Sequence, residues 1–138
     1  MAAHDHTITL ASYLTMGAAT LTLDGTAFSI ARSVDLPEDT VWGDTYKQRL
    51  IGVQDIQATF EALNDFTDNE LDEDIDALMG TAFAVDFRPA TGSPSATNPA
   101  AQFTGAISNL QKTYAHGQVA KISGTIMLTS GTLTRAVA

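Results

Sequence analysis

The chain has 138 residues, no cysteine and a formal net charge of −9, from 16 acidic and 7 basic side chains. The lack of cysteine excludes disulfide bonds and thiolate metal sites, and the negative charge argues against a protein that wraps DNA through its phosphates. The length fits a single domain over residues 1–138. The N-terminus has no basic region followed by an apolar run, and no stretch is apolar enough to span a membrane, so we expect a soluble protein made in the cytoplasm.

The charges are distributed unevenly along the chain. Residues 1–88 hold all 16 acidic side chains and only 4 basic ones, a net charge of −12, whereas residues 89–138 have a net charge of +3 and no acid. The basic side chains of the second part are Lys112, Lys121 and Arg135. One interpretation is that the asymmetry has no function, because residues 1–88 and 89–138 intermix within one folded subunit. Alternatively, the asymmetry supports a head-to-tail interface, in which the acidic face of one subunit meets these basic side chains of the next.

The N-terminal region predicts short strands. His4–Leu10 alternates weakly, as a terminal strand or an arm would. Ala19–Leu23 and Thr26–Ala31 are rich in β-forming residues. Asp24-Gly25 between them is a strong turn signal, because both residues tolerate positive φ. The pattern therefore predicts a β-hairpin over these two segments.

A long loop with an apolar content follows at residues 33–46. Pro37, Gly43 and four acidic residues predict a loop. The same segment also carries large apolar side chains, Leu36, Val41, Trp42 and Tyr46. Two interpretations stay open: Trp42 folds back onto its own core, or the loop reaches out and docks on another subunit, since Trp and Tyr are favoured interface anchors.

The next segment, residues 50–61, has the period of two of a half-buried strand. One face is mostly apolar, with Leu50, Ile56, Ala58 and Phe60. The other face is polar, with Arg49, Asp55, Gln57, Thr59 and Glu61. Ile51 and Val53 interrupt the alternation, so we expect the first half of this strand to be covered on both sides.

A strongly acidic helix is predicted at about residues 69–79. Thr67 followed by Glu70 fits a capping box, and Gly80 is placed to end the helix. The apolar face consists of Leu71, Ile75, Leu78 and Met79. The opposite face consists of acids, Asp68, Glu70, Asp72, Glu73, Asp74 and Asp76. Because like charges four residues apart repel, such a helix must be held by its apolar face and would gain from a basic partner.

The second half of the chain predicts three further strands, Thr81–Arg88, Ala101–Gln111 and Gln118–Leu128. Their inward side chains are Phe83, Val85, Phe87, Phe103, Ile107, Ile122, Ile126 and Leu128. Between them, residues 89–99 contain three prolines and predict a flexible surface loop, and residues 115–117 predict a turn. Residues 129–138 fit a short strand or a contact arm. The sum is an antiparallel β-sandwich or barrel with one flanking helix.

The sequence gives little support for catalysis or metal binding. Asp65, Thr67 and Asn69 alternate as calcium ligands do, but Glu70 stands where an EF-hand loop needs glycine. His4 and His6 near the N-terminus and His116 in a turn are more typical of solvated side chains, and no phosphate loop or nucleophile elbow is present. We therefore expect no enzyme activity, no metal and no cofactor.

Three stretches carry a resemblance to a known family. They are GVQDIQATFEAL, ELDEDIDALMG leading into AFAVDFRP, and FTGAISNLQKTYAHGQVAKISGTIMLTSG. Together with the order of elements, they resemble the major tail tube proteins of long-tailed, siphovirus-like bacteriophages over roughly residues 19–131. The resemblance implies a β-sandwich with a flanking helix that forms hexameric rings, which stack into a tube through which DNA passes without specific binding.

The resemblance also implies roles for particular residues and partners. The loop Ser33–Tyr46 would reach the adjacent ring through Leu36, Val41, Trp42 and Tyr46. The polar strand face would line an acidic lumen with Asp55, Gln57, Thr59 and Glu61. Expected partners are further copies of the chain and the tape measure, tail terminator and distal tail proteins, all in the tail of the virion.

An alternative from a different class stays open. The chain would then be a non-enzymatic binding or capsid-decoration module that displays the loops 33–46 and 89–99, with Trp42 as a platform for a sugar. A ligand module stays small, whereas a tube protein polymerises, so the state of assembly discriminates between the two.

Overall fold

The computed structural model describes residues 12–17, 25–64 and 71–137, together with the backbone of residues 19–20. The helix of this part, α1 (Leu71–Leu78), lies between the fourth and fifth strands. The strands are β1 (Tyr13–Met16), β2 (Ala19–Thr20), β3 (Gly25–Val34), β4 (Gln54–Leu63), β5 (Phe83–Arg88), β6 (Ala100–Thr113) and β7 (Lys121–Ala136). No helix among these residues is long and apolar enough to cross a membrane.

All strands belong to one curled sheet in the order β2-β1-β5-β6-β7-β4-β3, and every neighbouring pair is antiparallel. This confirms the predicted antiparallel β fold with one flanking helix. The core forms where the sheet curls around the helix. It contains apolar side chains from β1, α1 and β4–β7, among which Met16, Val85, Ile75, Ile122 and Ile126 are almost completely inaccessible to solvent.

The predicted hairpin between Ala19–Leu23 and Thr26–Ala31 is wrong in its pairing. β2 pairs with β1, with Met16 opposite Ala19, whereas β3 pairs with β4 along its whole length. The two segments therefore lie at opposite ends of the strand order. Asp24 of the supposed turn lies outside the described residues. The turn signal at residues 24–25 does not determine the pairing, because β3 forms a ladder of hydrogen bonds with β4 instead.

β4 shows the predicted alternation, but only from Gln54 onward. Its buried face is Ile56, Ala58, Phe60 and Ala62. The predicted start of the strand at Leu50 is wrong, since residues 50–53 precede it and are exposed. Ile51 is 81% and Val53 75% exposed, so the expected cover on both sides is absent. These residues belong to an extension of the β3–β4 hairpin beyond the sheet.

The helix packs through Leu71, Ile75 and Leu78, three of the predicted apolar positions. It ends as predicted at Gly80, whose φ of +81° suits a residue without a side chain. The prediction for Met79 is wrong, because this residue follows the last helical turn and is exposed. Thr67, Asp68 and Glu70 lie outside the described residues.

The predicted strands of the second half are confirmed, and the last two are longer than expected. Phe83, Phe103 and Ile107 point into the core, and the turn after β6 closes with a hydrogen bond from the amide of Gln118 to the carbonyl of Ala115. Residues 129–136, predicted as a short strand or a contact arm, are instead the second half of the long strand β7. They pair with β6.

The proline-rich segment 89–99 has internal hydrogen bonds that its composition did not predict. The side chain of Asn98 accepts from the amide of Ala90 at 2.9 Å and donates to its carbonyl at 3.0 Å. Arg88 donates to the carbonyl of Gly92 at 2.7 Å and to Asp86 at 3.0 Å, while its guanidinium lies 4.3 Å from the ring centre of Tyr13. The loop is thus tied to β1 and β5.

Candidate assembly surfaces

Residues 35–53, here called the arm, continue the β3–β4 hairpin beyond the sheet. The amide of Asp35 donates to the carbonyl of Val53 at 3.0 Å, and that of Leu50 donates to Pro37 at 2.9 Å. Farther out, the amide of Asp39 donates to Gln48 at 2.8 Å. The predicted loop bounds of 33–46 are therefore wrong on both sides: residues 33–34 belong to β3, and the returning half of the arm runs to residue 53, directly before β4.

A tight turn at the tip of the arm presents Trp42. The amide of Val41 donates to the carboxylate of Asp44 at 2.9 Å, and the amide of Asp44 donates back to the carbonyl of Val41 at 3.1 Å. Gly43, with φ of +100°, provides the reversal. Trp42 has a relative accessibility of 103%. Of the two interpretations of Trp42, the structure therefore excludes the one in which it folds back onto its own core.

The arm exposes a large amount of apolar surface for so small an element. Four exposed side chains are those that the sequence singled out, Leu36, Val41, Trp42 and Tyr46. Sequence reasoning missed four others on the arm and its base, Val34, Leu50, Ile51 and Val53. Leu50, Ile51 and Val53 fit the pattern of a covered strand, because apolar residues in a β-pattern normally face a core, whereas Val34 falls inside the predicted loop 33–46. So many exposed apolar side chains on one short element are typical of an interaction site.

The polar face of β4 lies on the opposite side of the sheet from the core. Asp55, Gln57, Thr59 and Glu61 are all exposed there. The residues paired with Thr59 are small and polar as well, Ser29 on β3 and Thr125 on β7. Ser29 and Thr59 are hydrogen-bonded through their hydroxyl groups. This face therefore combines two carboxylates with hydroxyl and amide groups, and Met127 of β7, which pairs with Gln57, adds one large apolar side chain.

The acidic helix finds its basic partner within its own chain. The Nζ atom of Lys112 on β6 lies 2.7 Å from a carboxylate oxygen of Asp72 and 2.9 Å from one of Asp76. Asn64 donates a further hydrogen bond to Asp72 at 2.9 Å. Hydrogen bonds from Lys112 and then Asn64 lower the pKa of Asp72. Burial opposes the charge of Lys112, but its hydrogen bonds to the two carboxylates outweigh that effect and raise its pKa.

The three basic side chains that were predicted to contact another subunit differ in their surroundings. Lys112 forms ion pairs with Asp72 and Asp76 of α1. Lys121 and Arg135 are exposed at opposite ends of β7. Neither forms an ion pair with another described residue. A role of any of the three between subunits remains a prediction.

Most of the residues considered as metal ligands lie outside the part of the chain that the structure describes. His4, His6 and the segment 65–69 lie outside the described residues. His116 lies exposed in the turn between β6 and β7. Within the described ranges, no group of three or more histidines and carboxylates could hold a metal ion.

Comparison with solved structures identifies the fold. A chain in the virion of a native gene transfer agent (GTA) particle matches with a TM-score of 0.76 and 14% identity, over 96% of the present chain and 100% of the other. A chain in the tail of an empty GTA particle, refined helically with C6 symmetry, gives a TM-score of 0.69 and 16% identity over 94% and 96%. The SPP1 tail tube gives a TM-score of 0.71 and 6% identity, over 93% of the present chain and 78% of the other.

The chain therefore has a fold found in tail proteins of these particles, as the sequence resemblance implied. The match extends over nearly the whole length of the chain. No protein-family model and no curated protein matches the sequence.

Proposed function

We propose that the protein is a structural virion protein that polymerises as stacked hexameric rings into a phage tail tube, an acidic-lined conduit for the ejected genome. The observation that carries the proposal is the fold match over 93–94% of the chain to chains of assembled tails, one of them with C6 symmetry. Six copies in a ring would use a heterologous interface, in which two different surfaces of the subunit meet, because only such an interface closes around a rotation axis of this order.

The arm is the candidate for contacts between rings, through Leu36, Val41, Trp42 and Tyr46. A large aromatic side chain removes roughly 150–250 Å² from water when it is buried. At about 25 cal/mol per Å², full burial of Trp42 would contribute on the order of 4–6 kcal/mol before the entropy cost of association. A ring would present one such contact per subunit, so the sum is large enough to hold successive rings together.

The polar face of β4 is the candidate lining of the lumen, through Asp55, Gln57, Thr59 and Glu61. Carboxylates repel the phosphates of a passing duplex, whereas hydroxyl and amide groups offer it no charge to bind. Such a surface lets DNA slide. The proposal is supported by the exposure of all four side chains and by the small polar residues paired with Thr59, Ser29 and Thr125.

In this proposal the protein works in the tail of the virion after synthesis in the host cytoplasm. Its partners are further copies of itself and the other tail proteins, namely the tape measure, tail terminator and distal tail proteins. DNA transits the tube without specific binding. No step of this function needs a cofactor, a metal, a membrane or an enzymatic activity.

Sedimentation of the purified protein over a range of concentrations tests the proposal. A tube protein should form a rapidly sedimenting, open-ended polymer whose mean size grows with concentration. The alternative, a binding or capsid-decoration module, should remain a monomer or a small closed oligomer at every concentration. Distal tail proteins should be added in a parallel series, since an initiator can be required for polymerisation.

A further inference from the structure

We infer that Thr40 and Asp44 are positioning residues that keep the tip of the arm, residues 40–48, folded in the free subunit before any assembly. The inference deepens the proposed function and rests on it, because it concerns how the arm is prepared for the contact between rings. It makes the order of the arm a property of the subunit itself, so it can be tested on the monomer.

The arm must be held by its own bonds, because the described part of the subunit does not cover it. Every residue from 35 to 53 is exposed. Val41 and Tyr46, on either side of the turn, are 65% and 79% exposed. A two-stranded hairpin without cover is marginally stable at best in water. Such a hairpin stays folded only if particular local bonds hold it, and the tip of the arm contains two sets of them.

The first set of bonds is made by the hydroxyl group of Thr40. Below the tip, the amide of Asp39 donates to the carbonyl of Gln48 at 2.8 Å, as in an ordinary hairpin. One residue farther out, the amide of Gln48 donates to Oγ1 of Thr40 at 2.9 Å, and Oγ1 donates to the carbonyl of Gln48 at 3.4 Å. A single side chain therefore binds both main-chain groups of Gln48 at the point where the backbone ladder ends.

The second set of bonds is made by Asp44. Its carboxylate accepts from the amide of Val41 at 2.9 Å, while its own amide donates to the carbonyl of Val41 at 3.1 Å. Trp42 and Gly43 are the two residues that these bonds enclose. A hydrogen bond to an ionised carboxylate is stronger than one between neutral groups. Because both ends of the turn are tied, the backbone that carries Trp42 has one direction relative to the arm.

A folded tip favours assembly. A segment that becomes ordered only on binding loses conformational entropy at that step, and this loss reduces affinity. A tip that Thr40 and Asp44 already hold in the free subunit has lost that entropy during folding. Because every subunit of a ring contributes one arm, the effect is repeated at each contact. Loss of either side chain should therefore weaken polymerisation although the apolar side chains of the arm are unchanged.

Hydrogen exchange of two amides tests the folded tip directly, because the amides of Gln48 and Val41 are the donors to Thr40 and Asp44. We would measure it by NMR on the full chain at a concentration where sedimentation shows only monomer. Thr40→Val keeps the shape and removes the hydroxyl, so it should raise the exchange rate of the Gln48 amide by about tenfold, and Asp44→Ala should do the same for Val41. Thr40→Ser and Asp44→Asn retain an acceptor oxygen and should retain the protection. Wild-type rates equal to those of an unfolded chain, or unchanged rates in Thr40→Val and Asp44→Ala, would overturn the inference.

Thr45→Val is the matched control for Thr40→Val. It makes the same substitution on the same element, at an exposed side chain that takes no part in these bonds. Both exchange rates should stay at the wild-type values. If exchange at Gln48 accelerates as much in Thr45→Val as in Thr40→Val, the hydroxyl of Thr40 has no specific role.

Polymerisation of the same proteins tests the consequence. At the concentration where half of the wild type is pelleted, Thr40→Val should pellet at least about fivefold less, since a lost hydrogen bond changes an equilibrium constant by about two- to tenfold. Thr40→Ser and Thr45→Val should pellet as the wild type does. If Thr40→Val loses its protection yet polymerises fully, the folded tip has no role in assembly, and the proposed function stands. Failure of the wild type to polymerise under any condition would instead refute the proposed function.

Discussion

Lys112 on β6 and Asp72 on α1 form the contact that ties the acidic helix to the sheet, with Nζ 2.7 Å from the carboxylate. Asp76 lies one helical turn farther along and shares the same ammonium group. Repulsion between these two carboxylates would otherwise disfavour the helix. A single basic side chain from a distant strand therefore makes the acidic face compatible with a folded subunit.

Loss of this charge should destabilise the subunit. For Lys112→Met we expect the free energy of unfolding to fall by about 1 kcal/mol, since the pairs are only partly shielded from water. Urea denaturation in dilute solution measures the change. Lys121→Met is the control, because Lys121 is exposed and forms no ion pair with another described residue; its effect should stay within about 0.5 kcal/mol. Equal effects of the two variants would contradict a specific role of Lys112.

The same contact predicts a dependence on pH. The folded state lowers the pKa of Asp72 below its ordinary value of 3.8, so the resulting stabilisation is complete above pH 3.8 and is lost as the pH falls through the lowered value. The stability difference between the wild type and Lys112→Met should therefore be constant near neutrality and narrow below pH 3.8. Denaturation in a series of acidic buffers measures it. A difference that widens on acidification would contradict the assignment.

Trp42→Ala should separate assembly from folding. Because Trp42 makes no buried contact within its own subunit, its removal should leave the thermal midpoint of the monomer unchanged while stacking of rings is lost. Trp42→Tyr keeps an aromatic anchor and should retain part of the polymerisation. Calorimetry and pelleting assays on the three proteins measure both properties. If Trp42→Ala forms tubes of wild-type length, Trp42 does not take part in the contact between rings.

The polar face of β4 can be tested by making it less negative. Gln57→Lys adds a basic group on the same face as Asp55 and Glu61, and assembled tubes of this variant should retain more DNA at low salt than wild-type tubes do, with binding that weakens as salt is added. Ala77→Lys on the exposed side of α1 is the matched control and should behave as the wild type does. A filter-binding assay with short DNA duplexes measures retention. If only the control retains DNA, the assignment of the lumen face is wrong.

Gly124 on β7 provides a test of the packing behind that face. A Cβ atom at this position would lie 2.8 Å from the carbonyl oxygen of Asn109 and 2.8 Å from the ring of Phe60. Gly124→Ala should therefore lower the free energy of unfolding by roughly 1–3 kcal/mol, the usual cost of overpacking. The neighbouring Ser123→Ala removes only a hydroxyl and serves as the control. Stability equal to the control would show that the strands can separate without cost.

Much of the fold follows from local patterns in the sequence. The alternation in β4, the apolar face of α1 and the glycine at its end each depend on neighbouring residues, and the structure confirms them. The pairing of β3 with β4 and the extent of β7 depend on partners far along the chain. No local pattern contains that information, which is why the strong turn signal at Asp24-Gly25 led to the wrong hairpin.

The arm shows a second limit of sequence reasoning. The sequence predicts Trp42 and Tyr46 as interface candidates because Trp and Tyr are favoured interface anchors and lie in a long loop, but Ile51 and Val53 have the pattern of a covered strand. An apolar pattern in a sequence predicts that a side chain is buried, but it does not show whether the same subunit or another one buries it. Strands that complete their burial only on assembly are therefore predicted as core.

Electron microscopy of the purified protein, taken at increasing concentration and with distal tail proteins present, tests the central claim most directly. The account predicts hollow tubes whose end views and averaged cross-sections have sixfold symmetry, with a central channel wide enough for duplex DNA. Solid filaments, or only discrete monomers and trimers at every concentration with and without those proteins, would contradict it.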